Sequence, residues 1–236
     1  MASNETALIV GVGPALGASL ARLFAGDGMT VALAARKADT VEALAKEIGG
    51  KAAKTYACDA TEEDQVEALF EAVGKDLGVP DLVVFNAGTF SIMSVLETEA
   101  DHFEQSWKIN CLAGFFVGRA AAAAMKPRGA GTIIFTGATA SLRGGARFHN
   151  LAVGKFGLRA LAQAMARELG PENIHVAHMI IDGVIDTERG RAMMKDAGPD
   201  GLLAPDAIAA NYLHLHRQPR SAWTHELDVR PWAERF

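Results

Sequence analysis

The chain has 236 residues, half of them hydrophobic, which is enough to bury one large core and matches a single α/β domain. Its formal net charge is −5 and it carries no Lys/Arg block, which argues against nucleic acid or an anionic membrane as a partner and leaves small molecules. The two cysteines, Cys58 and Cys111, lack metal-ligand spacing and read as free thiols in a reducing cytoplasm, with no metal site expected. Residues 1–6 lack a basic leader and the apolar run 7–10 is too short for a signal or membrane span, so a cytoplasmic location is expected.

Short apolar runs recur along the chain at residues 7–10, 30–35, 82–85, 132–136 and 174–181. Separated by amphipathic stretches, they predict a parallel sheet covered on both faces, hence a doubly wound α/β fold. Directly after the first run comes Gly11-Val12-Gly13-Pro14-Ala15-Leu16-Gly17, opening a helix predicted at 18–25 and stopped by Gly26-Asp27-Gly28. Glycines at a strand exit and a helix start let backbone N–H groups approach a pyrophosphate, so Gly11, Gly13, Leu16 and Gly17 are candidate cofactor contacts in a Rossmann-type domain. The spacing is GxGxxxG, one residue longer than the common dinucleotide fingerprint.

The second strand ends in Arg36-Lys37 rather than in an acidic residue. A basic pair there suits a ribose 2′-phosphate, which favours NADP(H) over NAD(H), the plain alternative being two solvated side chains. After the third strand, Asp59 is placed either to accept from an adenine amino group or to cap a helix. Thr61-Glu62-Glu63-Asp64 resembles a capping box for a helix through Val73. Asn86-Ala87-Gly88 follows the strand at 82–85. Two long helices are predicted at 114–125 and 152–169, the second closed by Gly170-Pro171. The alanine run 120–124 in the first suits close approach by another helix, in a second subunit or within the monomer. Beyond Asp182 the composition predicts a substrate-side lid around residues 184–205 and an edge strand at 223–229. A single domain spanning residues 1–236 is expected.

Together, Gly11 to Gly17, Asp59, Asn86-Ala87-Gly88, Asn110 and Lys155 resemble the short-chain dehydrogenase/reductase family in order and spacing over nearly the whole chain. The resemblance implies an NADP(H)-linked oxidoreductase acting on a small alcohol or carbonyl substrate and assembled as a homo-dimer or homo-tetramer. It places Asn86, Ala87 and Gly88 along the cofactor, Ile185 and Thr187 near the nicotinamide, and Asn110 and Lys155 in a catalytic tetrad. The other tetrad positions break the pattern: Leu151 stands where the family has its proton-transferring tyrosine, and Ala138 where it has a serine. Neither side chain moves a proton. Other departures are Val10 and Ala15 in the glycine turn, Asp182-Gly183 for a proline-glycine turn, and Arg230-Pro231 near the end. His149, with a side chain that titrates near neutrality, is the candidate substitute acid, with Thr139 and Ser141 as neighbours of Ala138. Arg143 and Arg147 suit either an anionic substrate or a solvated loop. The alternative to an enzyme is a catalytically impaired dinucleotide-binding sensor or partner subunit.

Overall fold

A parallel strand has helices over both its faces and must be apolar all along, which is what the central runs supply. The computed structural model describes residues 5–234 and contains strands β1 (Thr6–Val10), β2 (Thr30–Ala35), β3 (Ala53–Ala57), β4 (Leu82–Phe85), β5 (Gly131–Thr136), β6 (Ile174–Ile181) and β7 (Glu226–Val229). They form one parallel sheet in the order β3-β2-β1-β4-β5-β6-β7. Helices α1 (Leu16–Gly26), α2 (Asp39–Ile48), α3 (Glu63–Leu77), α4 (Ala100–Trp107), α5 (Ala113–Met125), α6 (His149–Leu169), α7 (Glu188–Met193) and α8 (Pro205–His216) complete the wrapping.

Side-chain alternation divides the core in two. Ala7 and Ile9 of β1, Val31 and Leu33 of β2, and Ala177 and Met179 of β6 pack with Leu20 and Phe24 of α1 and Tyr212 and Leu215 of α8. Leu8 and Val10, Ala32 and Ala34, and Ile133 and Phe135 face the other way, toward Val66 and Leu69 of α3, Val117 and Ala121 of α5, and Leu158 and Ala162 of α6. The chain returns to β2 after α1 and to β5 after β4, so strand order reverses between β1 and β4. That opens a crevice at their carboxyl ends.

The small residues of α5 serve the inside of this layer. A Cβ on Gly118 would lie 2.8 Å from Phe135 and 2.9 Å from the Met165 sulfur, and one on Gly114 would lie 2.4 Å from Leu158. In the run 120–124 Ala121 is buried, and Ala120 and Ala122 pack against the same core. The intramolecular alternative thus accounts for part of the alanine run.

Several sequence expectations need correction. The capping box at 61–64 does not form: α3 starts at Glu63, its cap residue Glu62 makes no side-chain bond, and Thr61 instead gives its N–H and hydroxyl to Asp59 at 3.0 and 2.7 Å. A carboxylate two residues back competes for the threonine, as Asx turns do. The helix also continues past Val73 to Leu77. The last strand is confined to Glu226–Val229, Trp223 and Thr224 being bonded to Gln218 through the Trp223 Nε1–H and the Thr224 backbone N–H. Helix α1 begins at Leu16 and α6 at His149, earlier than the apolar periodicity suggested. Helix α8 fills a stretch between the expected lid and the expected edge strand for which no element was predicted.

Phe135 is fully buried between β4 and α5 and meets Phe85 edge-on at 6.3 Å. Phe135→Ala is expected to cost about 3–5 kcal/mol, lowering Tm by roughly 6–20 °C in calorimetry for a domain of this size.

Candidate functional site

The crevice at the strand-order reversal is a cleft of 1440 Å³ running from Arg36 and Asp59 past the glycine turn to Leu151 and Met193. Its first wall is the turn after β1. Gly11 sits at φ +92°, and a Cβ there would lie 2.5 Å from the Ala87 nitrogen, so both backbone conformation and packing require glycine. A Cβ on Gly17 would lie 2.9 Å from the Val12 Cα, whereas Gly13 faces open space. Helix α1 starts with no side-chain cap, and its first residues, Leu16 and Gly17, line the cleft, while the Ala18 N–H bonds back to the Gly13 carbonyl. An uncapped helix start beside an open glycine fits a pyrophosphate. Arg36, exposed at one end of the cleft, has no carboxylate partner among the described residues. Asp59 lines the same end and closes a turn with Thr61; it does not cap α3, whose cap residue is Glu62.

Behind the turn a polar frame joins three strands. Asn86 donates from Nδ2 to the Gly11 carbonyl at 3.1 Å and accepts the Thr136 hydroxyl on Oδ1 at 3.2 Å. Asn110 lies on a π-helical turn, Lys108–Leu112, between α4 and α5, and is fully buried. Its Nδ2 donates to the Thr89 and Ser106 carbonyls, each at 2.9 Å, and its Oδ1 accepts from the Thr89 N–H at 3.2 Å. Such a clamp fixes the backbone just beyond Gly88. Lys155 is buried on α6 and donates from Nζ to the Thr136 carbonyl at 2.7 Å. Burial without a carboxylate lowers its pKa to about 8.

The far end of the cleft is mostly apolar: Phe90, Ile109, Ala138, Phe148, Leu151 and Met193 line it. Among its polar residues is Thr139, whose hydroxyl donates to Asp182 Oδ1 at 2.5 Å, with Gln105, Arg143, Arg189 and Glu234 also in the lining. Asp182, at the end of β6, is 1% exposed and is flanked by Arg143 at 3.5 Å and Arg230 at 3.6 Å. Arg143 also pairs with Glu234 at 3.4 Å. Beneath this loop Ser141 contacts the buried His178 Nε2 at 3.3 Å. Burial holds His178 down at about 4, and its Nδ1 lies 3.4 Å from Glu226, which Arg159 grips through both carboxylate oxygens. With its pKa held low His178 is neutral near pH 7, and Nδ1 makes no hydrogen bond to Glu226.

Residues 184–205 close on themselves through a bridge between Ile185 and Leu203, and Thr187 caps α7 by accepting the Gly190 N–H at 2.9 Å. Ile185 and Thr187 line the cleft with Gly11, Gly13, Leu16, Gly17, Arg36, Asp59, Asn86, Ala87, Gly88, Asn110 and Lys155. His149 is not brought into that wall. It is the first residue of α6, bonded through Nε2 to Thr98 at 2.9 Å and stacked on Phe103. Arg147, at φ +68°, does not line the cleft either. Asp182, Glu234, Phe90 and Phe148 had no place in the sequence-derived site. For Asp182 the available signal was an acid at a strand end, where ligand-facing residues of parallel sheets collect.

The short chain dehydrogenase family model matches residues 5–198. A short-chain dehydrogenase from Rhodopseudomonas palustris is 40% identical, with a TM-score of 0.84 over 98% of this chain and 100% of that one. A metagenomic short-chain oxidoreductase solved in complex with NADP is 25% identical, with a TM-score of 0.84 over 97% of this chain and 98% of that one. Glycine betaine reductase ATRR of Emericella nidulans is 27% identical over 97% of the chain, which spans only 19% of that longer protein.

Lys155 links site and stability. Its pKa, depressed from 10.5 to about 8, means that the folded state holds the ammonium at a penalty throughout the range below pH 8. Lys155→Met is expected to raise Tm at pH 7 by about 2–4 °C, the shift made by roughly 1 kcal/mol. The gain should fade as pH rises from 8 toward 10.5, where the unfolded lysine also loses its proton; melting curves across that range check the sign.

Proposed function

Because the chain belongs to the short-chain dehydrogenase/reductase family, we propose that it is an NADP(H)-dependent oxidoreductase for a small, largely apolar alcohol or carbonyl compound, working by a departure from the family's proton chemistry. The observation that carries this reading is the one continuous cleft from the basic Arg36 end, past the open helix start, to the apolar pocket around Leu151. The NADP complex of the metagenomic relative supports the choice of cofactor class.

In this reading Gly11, Gly13, Leu16 and Gly17 receive the pyrophosphate, Arg36 the 2′-phosphate and Asp59 the adenine. Asn86, Ala87, Gly88, Ile185 and Thr187 flank the nicotinamide side. Lys155 holds a ribose hydroxyl, with Thr136 orienting its ammonium. Asn110 positions the Thr89 backbone. The cofactor, when bound, supplies or accepts a hydride. Residues 184–205 form a lid on the substrate side. His149, held by Thr98 and Phe103, is assigned no proton transfer.

A second reading, a dinucleotide-binding sensor or partner subunit, is favoured by one observation: the wall at Ala138 and Leu151 carries no side-chain proton. Loss of a general acid removes about 10² to 10⁴ in rate.

Thermal shift separates cofactors. NADPH at about 100 times its Kd should stabilise the protein by roughly 2.7 kcal/mol, about 5–10 °C, and NADH less at equal concentration. Arg36→Ala should weaken NADPH by about 10- to 100-fold, the loss of a charge-assisted phosphate contact, and leave NADH unchanged. No shift with either dinucleotide sinks both readings. Turnover of a carbonyl panel with NADPH then separates enzyme from sensor: activity present in the natural protein favours the first, and activity appearing only in the Leu151→Tyr, Ala138→Ser double variant favours the second.

A further inference from the structure

Departures that lie far apart in the sequence meet at one point of the cleft. Asp182, Arg230, Arg143 and Thr139 come from three different strand exits and converge beside Ala138. The Asp182 carboxylate is buried between two guanidinium groups, so it is a pure acceptor. A hydroxyl has a single hydrogen, and that of Thr139 is committed to Asp182 at 2.5 Å. What Thr139 then offers to anything in the cleft is lone pairs.

Much of the wall around this acceptor is apolar. Ala138, Phe148, Leu151 and Phe90 line it, the Asn110 amide is spent on Thr89 and Ser106, Lys155 is bonded to the Thr136 carbonyl, and Arg143 turns Nη2 toward both Asp182 and Glu234. Gln105 is exposed and its amide both donates and accepts, so it does not discriminate. Arg189 lies with its guanidinium over the Phe90 ring at 4.2 Å. A carbonyl oxygen placed against Thr139 meets lone pairs, whereas a hydroxyl makes a hydrogen bond.

We infer that Thr139, oriented by Asp182, is the substrate-positioning residue of this cleft and selects the ligand that presents a hydroxyl donor over the corresponding carbonyl. The inference rests on the reading of the cleft as a dinucleotide-dependent alcohol/carbonyl site, and it sets the alcohol as the preferred bound partner.

The test uses protein saturated with NADP⁺, with saturation verified by thermal shift in every variant. Failure of the wild type to bind the dinucleotide overturns the functional reading and this inference together; the ligand comparison below fails separately. The probes are 1-methylcyclohexanol and cyclohexanone, neither of which can react with the oxidised cofactor, and affinities are read by ligand-observed NMR. The alcohol is expected to bind about tenfold tighter than the ketone, and Thr139→Val to bring the two within about twofold, as loss of one hydrogen bond requires. Thr139→Ser should keep the preference. Asp182→Asn, whose amide N–H donates to Thr139 and frees its hydrogen, should move the preference toward the ketone. If Asp182→Asn does not fold, the valine and serine variants carry the test. Equal affinities, a ketone preference or no binding of either probe in the wild type overturns the inference, as does an alcohol preference that survives in Thr139→Val.

Discussion

The side-chain amide of Asn86 is the joint on which the cleft depends. It binds the Gly11 carbonyl on one side and the Thr136 hydroxyl on the other, across the place where strand order reverses. Neighbouring strands diverge at that place, and without a bridge their ends would be free to spread. Gly11 and Ala87, at the same two exits, approach too closely for a Cβ on Gly11. Thr136 passes the constraint on, its hydroxyl reaching Tyr212 of α8 at 2.8 Å and its carbonyl receiving Lys155. The dinucleotide end is therefore a property of the sheet's centre.

The two ends of the cleft are built on opposite electrostatic terms. At the glycine turn, backbone N–H groups and Arg36 supply positive potential, with the Asp59 carboxylate at the Arg36 end, which suits an anion. At the other end Arg189 lies over Phe90, while Arg143 and Arg230 share Asp182 and Glu234 balances Arg143. A compensated cluster of this kind fixes the direction of a hydrogen bond and holds little net field. The protein thus separates affinity for charge from discrimination between neutral groups.

Sequence made the sheet legible where chemistry was local. The runs 82–85 and 174–181 are strands at those bounds because a largely apolar stretch of that length suits a sheet buried on both faces, even with His175 and His178 in the second. The glycine turn was legible for the same reason, its chemistry being backbone geometry written in one residue type. Expectations failed where two local options competed, as when Thr61 bonded to Asp59 instead of capping α3. Helix α8 was hidden by its histidines and asparagine, although Pro205 at its first turn was a usable signal. The Thr139 and Asp182 pair was not readable at all, since their 43-residue separation becomes a contact only through the register of β5 on β6. His149 shows the converse: nearness to Leu151 in sequence did not translate into nearness to the cleft, because one helical turn points the ring at Thr98.

Arg230 follows β7, the four-residue strand at the edge of the sheet, and reaches back to Asp182. Edge strands open at lower free energy than central ones. The side of the cleft held by Arg230 therefore inherits the breathing of the sheet's β7 margin, while the glycine turn and Asn86, on the central strands β1 and β4, inherit the rigidity of its middle.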